Sequence, residues 1–158
     1  MSRKIGSELT TELFERLNGR DVSPHEGKII PLITLDEAGR PHPALLSYYE
    51  VVAKDRSTLD IGIWKNSSTA NNIRRNANLA FMITDTAVNF YLKGTAREVQ
   101  AELPSMQQVS RFRITLSEVL EDQEANAQIT TGLTYTRTKP REDSDISAIV
   151  LAGLLQEP

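Results

Sequence analysis

Apolar residues recur along this chain with two spacings, and each marks a different kind of element. Leu9, Leu13 and Leu17 follow one another at intervals of four, the spacing of one helix face. With Ser7 as cap and Gly19 as stop they predict a helix over residues 7–18. The polar stretch from Arg20 to Gly27, with Pro24, reads as a loop. Lys28 to Asp36 is β-branched at Ile29, Ile30, Ile33 and Thr34 and predicts a strand. Asp36-Glu37-Ala38-Gly39 has turn chemistry, so Arg40 to Ala53 should return antiparallel as a second strand. Pro41 and Pro43 lack N–H donors, which puts the beginning of that strand at an edge or a bulge. After a turn at Lys54-Asp55-Arg56-Ser57, Leu59, Ile61 and Ile63 alternate in a third strand, Thr58 to Trp64.

A short helix at residues 68–76 comes next. Leu79 to Asp85 and Val88 to Gln100 then form two strands across Thr86-Ala87. Pro104 to Gln108 predicts a helical turn, and Phe112, Ile114 and Leu116 alternate in a sixth strand. From Gln123 to Arg137 no period dominates, and Gly132 interrupts whatever might form. A final helix is expected over Asp143 to Leu155, capped by Asp145, with Ile146, Ile149, Val150 and Leu154 on one apolar face. Six strands with hairpin-length connections predict a mainly β, α+β protein. Closure into a small antiparallel barrel would hide its edges. Crossover helices for a parallel sheet are missing, and so is the G-x-G-x-x-G fingerprint of a dinucleotide fold.

At 158 residues a single domain is expected. The composition, 39% hydrophobic and 25% charged with a formal charge of −3, is that of an ordinary soluble protein and offers no basic face for nucleic acid. With no cysteine there is no disulfide, thiolate nucleophile or Cys-ligated metal. His25 and His42 each stand beside a proline. Neither a leader peptide nor a membrane span is legible, so a cytoplasmic protein is the expectation.

The chemistry concentrates where the third strand runs through a hydroxyl-rich elbow into the short helix. Ser67, Ser68 and Thr69 stand at a helix start whose first amides lack intrahelical partners and whose dipole is positive. A phosphate would find donors there, with Lys65, Arg74 and Arg75 nearby. An ordinary N-cap is the alternative, because Ser and Thr are the usual caps and need no ligand. Trp64 is suited either to covering a flat ring or to filling the barrel rim. Glu121, Asp122 and Glu124 read as a solvated charge run.

Several segments occur in an order that resembles a known family. Asp36 to Pro43, Leu45-Leu46-Ser47-Tyr48, Ile61 to Lys65, Ser67, Asn76 and Leu92 to Val99 are similar to the pyridoxamine 5′-phosphate oxidase-like flavin-binding split barrels. The match spans roughly residues 26–122, leaving 1–25 as an N-terminal helix and loop and 123–158 as a C-terminal extension. The resemblance implies a six-stranded split barrel that forms a homodimer, with flavin mononucleotide (FMN) in each of two interface clefts. It implies that Leu45, Leu46, Ser47 and Tyr48 run along the isoalloxazine ring, and that Ile63, Trp64, Lys65, Ser67, Ser68 and Thr69 carry the ribityl and phosphate.

The chain departs from that pattern too. Where the name-giving oxidases carry an Arg-Lys pair after the elbow serine, Ser68 and Thr69 stand here. Tyr48-Tyr49 replaces a basic residue after the ring strand, and the C-terminal Arg- and Trp-containing substrate motif is missing. Pyridoxine phosphate oxidation is therefore not expected. No catalytic residue is assigned. His42 is considered as a proton donor and set against a role as a surface or edge residue. The resulting expectation is a flavin-dependent oxidoreductase acting on an unknown small molecule, with NADH or NADPH as electron partner. The alternatives are a deazaflavin or haem binder, or a non-catalytic flavin-binding or stress-associated protein.

Overall fold

The structure is a computed structural model that describes residues 1–142 and 145–158. Its eight strands are β1 Ser2–Gly6, β2 Ile29–Leu35, β3 Pro41–Ser47, β4 Val51–Ala53, β5 Thr58–Trp64, β6 Asn78–Asp85, β7 Val88–Gln100 and β8 Val109–Asp122. Three helices accompany them, α1 Thr11–Leu17, α2 Ser68–Arg75 and α3 Ile146–Leu155. None is long and apolar enough to cross a membrane.

Every strand pair is antiparallel, and the order is β3-β2-β6-β7-β8-β5-β4. The two ends of that path, β3 and β4, are joined in sequence by Tyr48-Tyr49-Glu50 alone. So short a link forces the sheet to curl until its edges meet, and the result is a split barrel. β8 makes the curl possible by serving two partners on one edge, β5 along residues 109–115 and β1 along 119–122.

Eight strands replace the six expected, for two reasons. The predicted strand from Arg40 to Ala53 breaks at a turn closed by the Glu50 amide donating to the Ser47 carbonyl at 3.1 Å. Ser2–Gly6, with no apolar alternation, forms a strand because β8 offers it an open edge. Of the charge run expected in a solvated loop, Glu121 and Asp122 instead end β8 and pair with Arg3 and the terminal amine, while Glu124 is exposed beyond the strand. The sixth predicted strand was too short as well, since β8 extends from Val109 to Asp122.

Strand burial follows the period-two pattern where one face is wet. In β2 the residues Ile30, Leu32 and Thr34 point inward, and in β6 so do Leu79, Phe81, Ile83 and Asp85. β5 is buried on both faces. Leu59, Ile61 and Ile63 join the barrel core, while Asp60 and Gly62 face the side covered by α3. The edge position expected from Pro41 and Pro43 is where β3 lies.

α1 begins at Thr11 rather than at Ser7, and Thr10 is the cap, its Oγ1 accepting the Leu13 amide at 3.2 Å. Leu9 is held outside the helix because its amide donates to the Arg56 carbonyl at 2.7 Å while its side chain is fully buried. Gly19, at φ 73°, is the residue past the helix end, as the sequence predicts. Pro104 to Gln108 makes turns and a Leu103–Met106 bridge instead of a helical turn. For the last helix, the predicted beginning at Asp143 lies outside the described residues. Asp145 caps it by accepting the Ser147 amide, and Val150 and Leu154 are buried, but Ile146 is half exposed.

Two basic side chains hold α3 on the barrel by its C-terminal carbonyls. Arg111 donates to Leu154 at 3.0 Å and Lys54 to the same carbonyl at 3.1 Å, where the helix dipole favours cations. Beneath them Val52, Leu103, Val109, Val150 and Leu154 form a second small core. Each such side chain, fully buried, contributes about 1.5–3 kcal/mol.

Candidate functional site

At the elbow, β5 ends on Trp64, the Ser67 amide donates to the Trp64 carbonyl at 3.0 Å, and α2 starts at once. Ser67 is the helix cap, its Oγ accepting the Ala70 amide at 3.1 Å. Helix geometry leaves the Ser68 and Thr69 amides without an intrahelical acceptor, so two donors and the positive dipole end converge there. The Ser68 side chain is exposed and that of Thr69 is buried. The elbow cations have other occupations. Lys65 pairs with Glu102, and Arg74 forms a two-pronged pair with Glu98 while donating to the Lys65 carbonyl and Ser110. Arg75 makes only a 3.4 Å contact with Asn72 Oδ1 among the described residues.

α2 is fixed on the barrel by Asn72, whose buried amide donates to Thr34 Oγ1 at 3.1 Å. Thr34 in turn lies opposite His42 of β3. His42 is thus a partly exposed edge-strand residue.

The strand expected along the ring divides by face. Leu45 is 61% exposed and Ser47 partly so, while Leu46 and Tyr48 point inward. Tyr48 stacks on His25 with ring centroids 4.5 Å apart, and its hydroxyl lies 3.5 Å from Arg16 Nη1. Burial raises the Tyr48 phenol above its ordinary pKa. Around it Arg16 and Lys28 both donate to Asp85 Oδ2, at 2.9 and 2.6 Å. Burial works to raise the Asp85 carboxyl, but those bonds outweigh it and hold the group far below the usual carboxylate range. His25 is held below its usual value by burial and then by the Arg16 and Lys28 charges. The sequence gives no signal for this cluster, because residues 16, 25, 28, 48 and 85 meet only through the topology.

Ser47 and Trp64 are the two predicted site residues that the curl brings to one place. The Gly62 amide donates to the Glu50 carbonyl at 3.0 Å, and Glu50 Oε2 accepts both the Ser47 amide at 2.6 Å and its hydroxyl at 2.9 Å. A notch of about 30 Å³ opens between Glu50, Trp64, Val109, Ile146 and Ser147. Its floor depends on Gly62, where a Cβ would stand 2.7 Å from Val150 Cγ1. Trp64 is 48% exposed, so it does not fill the barrel, and Ile63 beside it does. Burial raises the Glu50 carboxyl, against the two bonds from Ser47. Sequence reasoning passed over Glu50, whose place in a turn gave no hint of its burial. A larger concavity of about 610 Å³ lies elsewhere, between the N-terminus, the β6–β7 turn and residues 122–129.

The C-terminal extension crosses this end of the barrel. The Tyr135 amide donates to Gly27, the Ile29 amide to Leu133, and Arg141 lies 4.4 Å over the Tyr49 ring while pairing with Glu26. Burial and the Glu26 carboxylate push the Tyr49 phenol up to about 12.

No protein-family model matches the chain. The Bacillus subtilis protein YclD, itself uncharacterized, is 28% identical over 134 residues, 85% of this chain and 87% of YclD. A structure from Lactobacillus delbrueckii, described as a "putative pyridoxamine 5′-phosphate oxidase", superposes with a TM-score of 0.59 at 16% identity. The match covers 74% of this chain and 98% of that one. An F420 reductase superposes with a TM-score of 0.53 at 12% identity, over 70% of this chain and 98% of that one. These likenesses establish the fold: the chain has the split barrel of the pyridoxamine 5′-phosphate oxidase-like proteins.

Proposed function

We propose that this chain binds FMN as a homodimer, one flavin in each of two interface clefts, and is a flavin-dependent oxidoreductase. Its substrate is a small organic molecule and its electron partner NADH or NADPH. The observation that carries this reading is the elbow, where the Ser68 and Thr69 amides, the positive end of the α2 dipole and the exposed Ser68 side chain follow directly on the half-exposed Trp64. Such a surface fits a phosphate on a flat, apolar ring. When bound, FMN supplies the hydride and electron chemistry. The residues of the chain hold and orient it: Ser67, Ser68 and Thr69 take the phosphate, and the outward face of β3, Leu45 and Ser47, with Trp64, takes the ring.

The dimer reading is supported by the apolar side chains left in water around that cleft, Leu45, Trp64 and Ile146. A second copy would cover them and complete the cleft, which explains why one chain has only a small notch there.

The phosphate would be held without a dedicated cation, since Lys65 and Arg74 already serve Glu102 and Glu98. Neutral hydrogen bonds are about half as strong as charge-assisted ones. FMN affinity should therefore fall below that of the oxidases with the Arg-Lys pair, and pyridoxine phosphate oxidation is not proposed. A deazaflavin is the second reading, favoured by the fold shared with an F420 reductase.

The test is the visible spectrum of the purified protein before and after FMN addition and desalting. Retained bands near roughly 370 and 450 nm that NADH or NADPH bleaches under argon would support the oxidoreductase reading. Retained bands that neither nicotinamide bleaches would leave a flavin-binding protein. A colourless protein that releases FMN would reduce the elbow to a helix cap.

A further inference from the structure

The segment that follows β8 is tied to an ionic cluster already holding one cation too many. Residues 129–135 form a strap held at two anchors. At the first, the Tyr135 amide donates to the Gly27 carbonyl at 2.7 Å, the Ile29 amide donates to the Leu133 carbonyl at 3.0 Å, and Thr134 bridges to Lys28. At the second, the Ala87 amide donates to the Ile129 carbonyl at 2.9 Å and the Thr86 hydroxyl to the Thr130 carbonyl at 2.8 Å. The Lys28–Asp85 pair joins the two anchors directly, since Lys28 belongs to the first and Asp85 accepts the Thr86 amide at the second.

Asp85 answers two cations at once, Lys28 and Arg16. Arg16 Nε is buried without an acceptor among the described residues. Into this surplus of positive charge projects the His25 ring, stacked on Tyr48 at an interplanar angle of 22°, with Nδ1 3.5 Å from Arg16 Nη1. A guanidinium can only donate, so the contact requires an unprotonated Nδ1. The groups that act on the ring come from every element around it: Arg16 from α1, Tyr48 from the β3–β4 link, Lys28 ahead of β2, Asp85 from β6 and Asp21 from the loop. Asp85 and Asp21 favour a proton on His25, but burial, Arg16 and Lys28 outweigh them.

A proton on His25 therefore places a third cation beside one inner carboxylate. The ring cannot withdraw without moving the short 3₁₀ turn that carries it, Ser23–His25, and the His25 carbonyl accepts the Lys28 amide at 3.1 Å. The displacement passes straight to residues 27–29, the first anchor of the strap.

We propose that His25 is an acid-released latch, seating the 129–135 strap while neutral and freeing it when protonated, with the sheet still folded. What it regulates is exposure of the ends of β2 and β6, where the strap is bonded. The inference does not draw on the flavin reading.

Amide hydrogen exchange on the full chain, resolved by NMR and corrected for the intrinsic rate at each pH, tests it. Between about pH 7.5 and 5.5, protection of the Ile29, Ala87 and Tyr135 amides should fall severalfold, with a ceiling of about tenfold because one proton is taken up one unit below the free imidazole value of about 6.5. Urea up to about 1 M should leave these three rates unchanged, since a local opening exposes little surface, while amides of the β7–β8 pairing accelerate. His25→Phe should keep the strap protected and abolish the pH dependence. If His25→Phe fails to fold, His42→Gln leaves His25 as the sole imidazole. Protection in that protein should fall from about pH 6.5 and level off where the His25 ring itself titrates. Protection that does not fall, a pH dependence surviving in folded His25→Phe, a fall that levels off away from the His25 titration, or strap amides that accelerate with urea alongside the sheet would each overturn the proposal.

Discussion

Arg74 grips Glu98 with two parallel bonds, Nε to Oε2 at 2.9 Å and Nη2 to Oε1 at 2.6 Å, and the same guanidinium donates to the Lys65 carbonyl at 2.7 Å. One side chain thereby ties α2 to β7 and to the turn that carries the elbow. The Glu98 carboxyl is accordingly held below its ordinary range by Arg74.

A double-mutant cycle over Arg74→Ala and Glu98→Ala should give a coupling of about 0.5–1 kcal/mol, the upper end for pairs with this much solvent contact. Urea midpoints measure it. Arg74→Ala should cost more than Glu98→Ala, because it also releases the Lys65 carbonyl and Ser110. A coupling of zero would mean that the pair does not brace the elbow.

Asp60 is the residue whose loss should be felt most. It is fully buried and accepts from both Arg111 and Arg113, and Arg111 is itself fully buried beneath α3. Asp60→Ala leaves a buried guanidinium without its counterion and should destabilise by about 3–5 kcal/mol. Equilibrium unfolding in urea would show it. An effect under about 1 kcal/mol would contradict the burial of this network.

Stability should depend on pH through two groups. Asp85 titrates well below its unfolded value of about 3.9, so its contribution is fully present above that pH and is lost as pH falls below it. His25 also titrates below its unfolded value, about 6.5, so the unfolded chain takes the proton first and stability drops as pH falls through that point. The urea midpoint should decline between about pH 7 and 5 in the wild type and flatten in His25→Phe, which keeps an aromatic ring against Tyr48. Asp85→Asn should remove part of the loss below about pH 4. A wild-type midpoint level from pH 7 to 5 would contradict the His25 assignment.

Ser67→Ala removes the α2 cap and should cost about 1 kcal/mol of stability whether or not a ligand binds. If the elbow holds phosphate, Ser67→Ala combined with Thr69→Ala should also lower FMN affinity tenfold or more, each neutral bond being worth about 0.5–1.5 kcal/mol. Calorimetric titration on the folded variant separates the two effects. Unchanged affinity would leave Ser67 as a cap only.

Gly132, which broke every regular reading of its segment, has its place set by contact. A Cβ there would collide with the Thr84 carbonyl oxygen. Gly132→Ala should lift the 129–135 strap from the end of β6, raising amide exchange at Ala87 and Ile29, whose N–H groups donate to Ile129 and Leu133. Unaltered exchange at both would show that the strap is held by other means.

What the sequence determined by itself is what depends on neighbours along the chain. Alternating apolar residues located β5 and the middle of β8, and apolar, β-branched runs bounded by turn residues located β2, β6 and β7. The prolines put β3 at an edge, and Ser67 and Asp145 marked helix starts, since capping is satisfied within one turn. Tertiary structure decided the rest. β1 exists because β8 has an edge to offer, Thr10 displaced Ser7 as cap because Arg56 holds Leu9, and Tyr48 turned inward onto His25. The pairing of Arg74 with Glu98 and the notch that Glu50 and Trp64 both line likewise join residues distant in the chain. Such contacts are created by the curl of the sheet, and no local period or spacing encodes them.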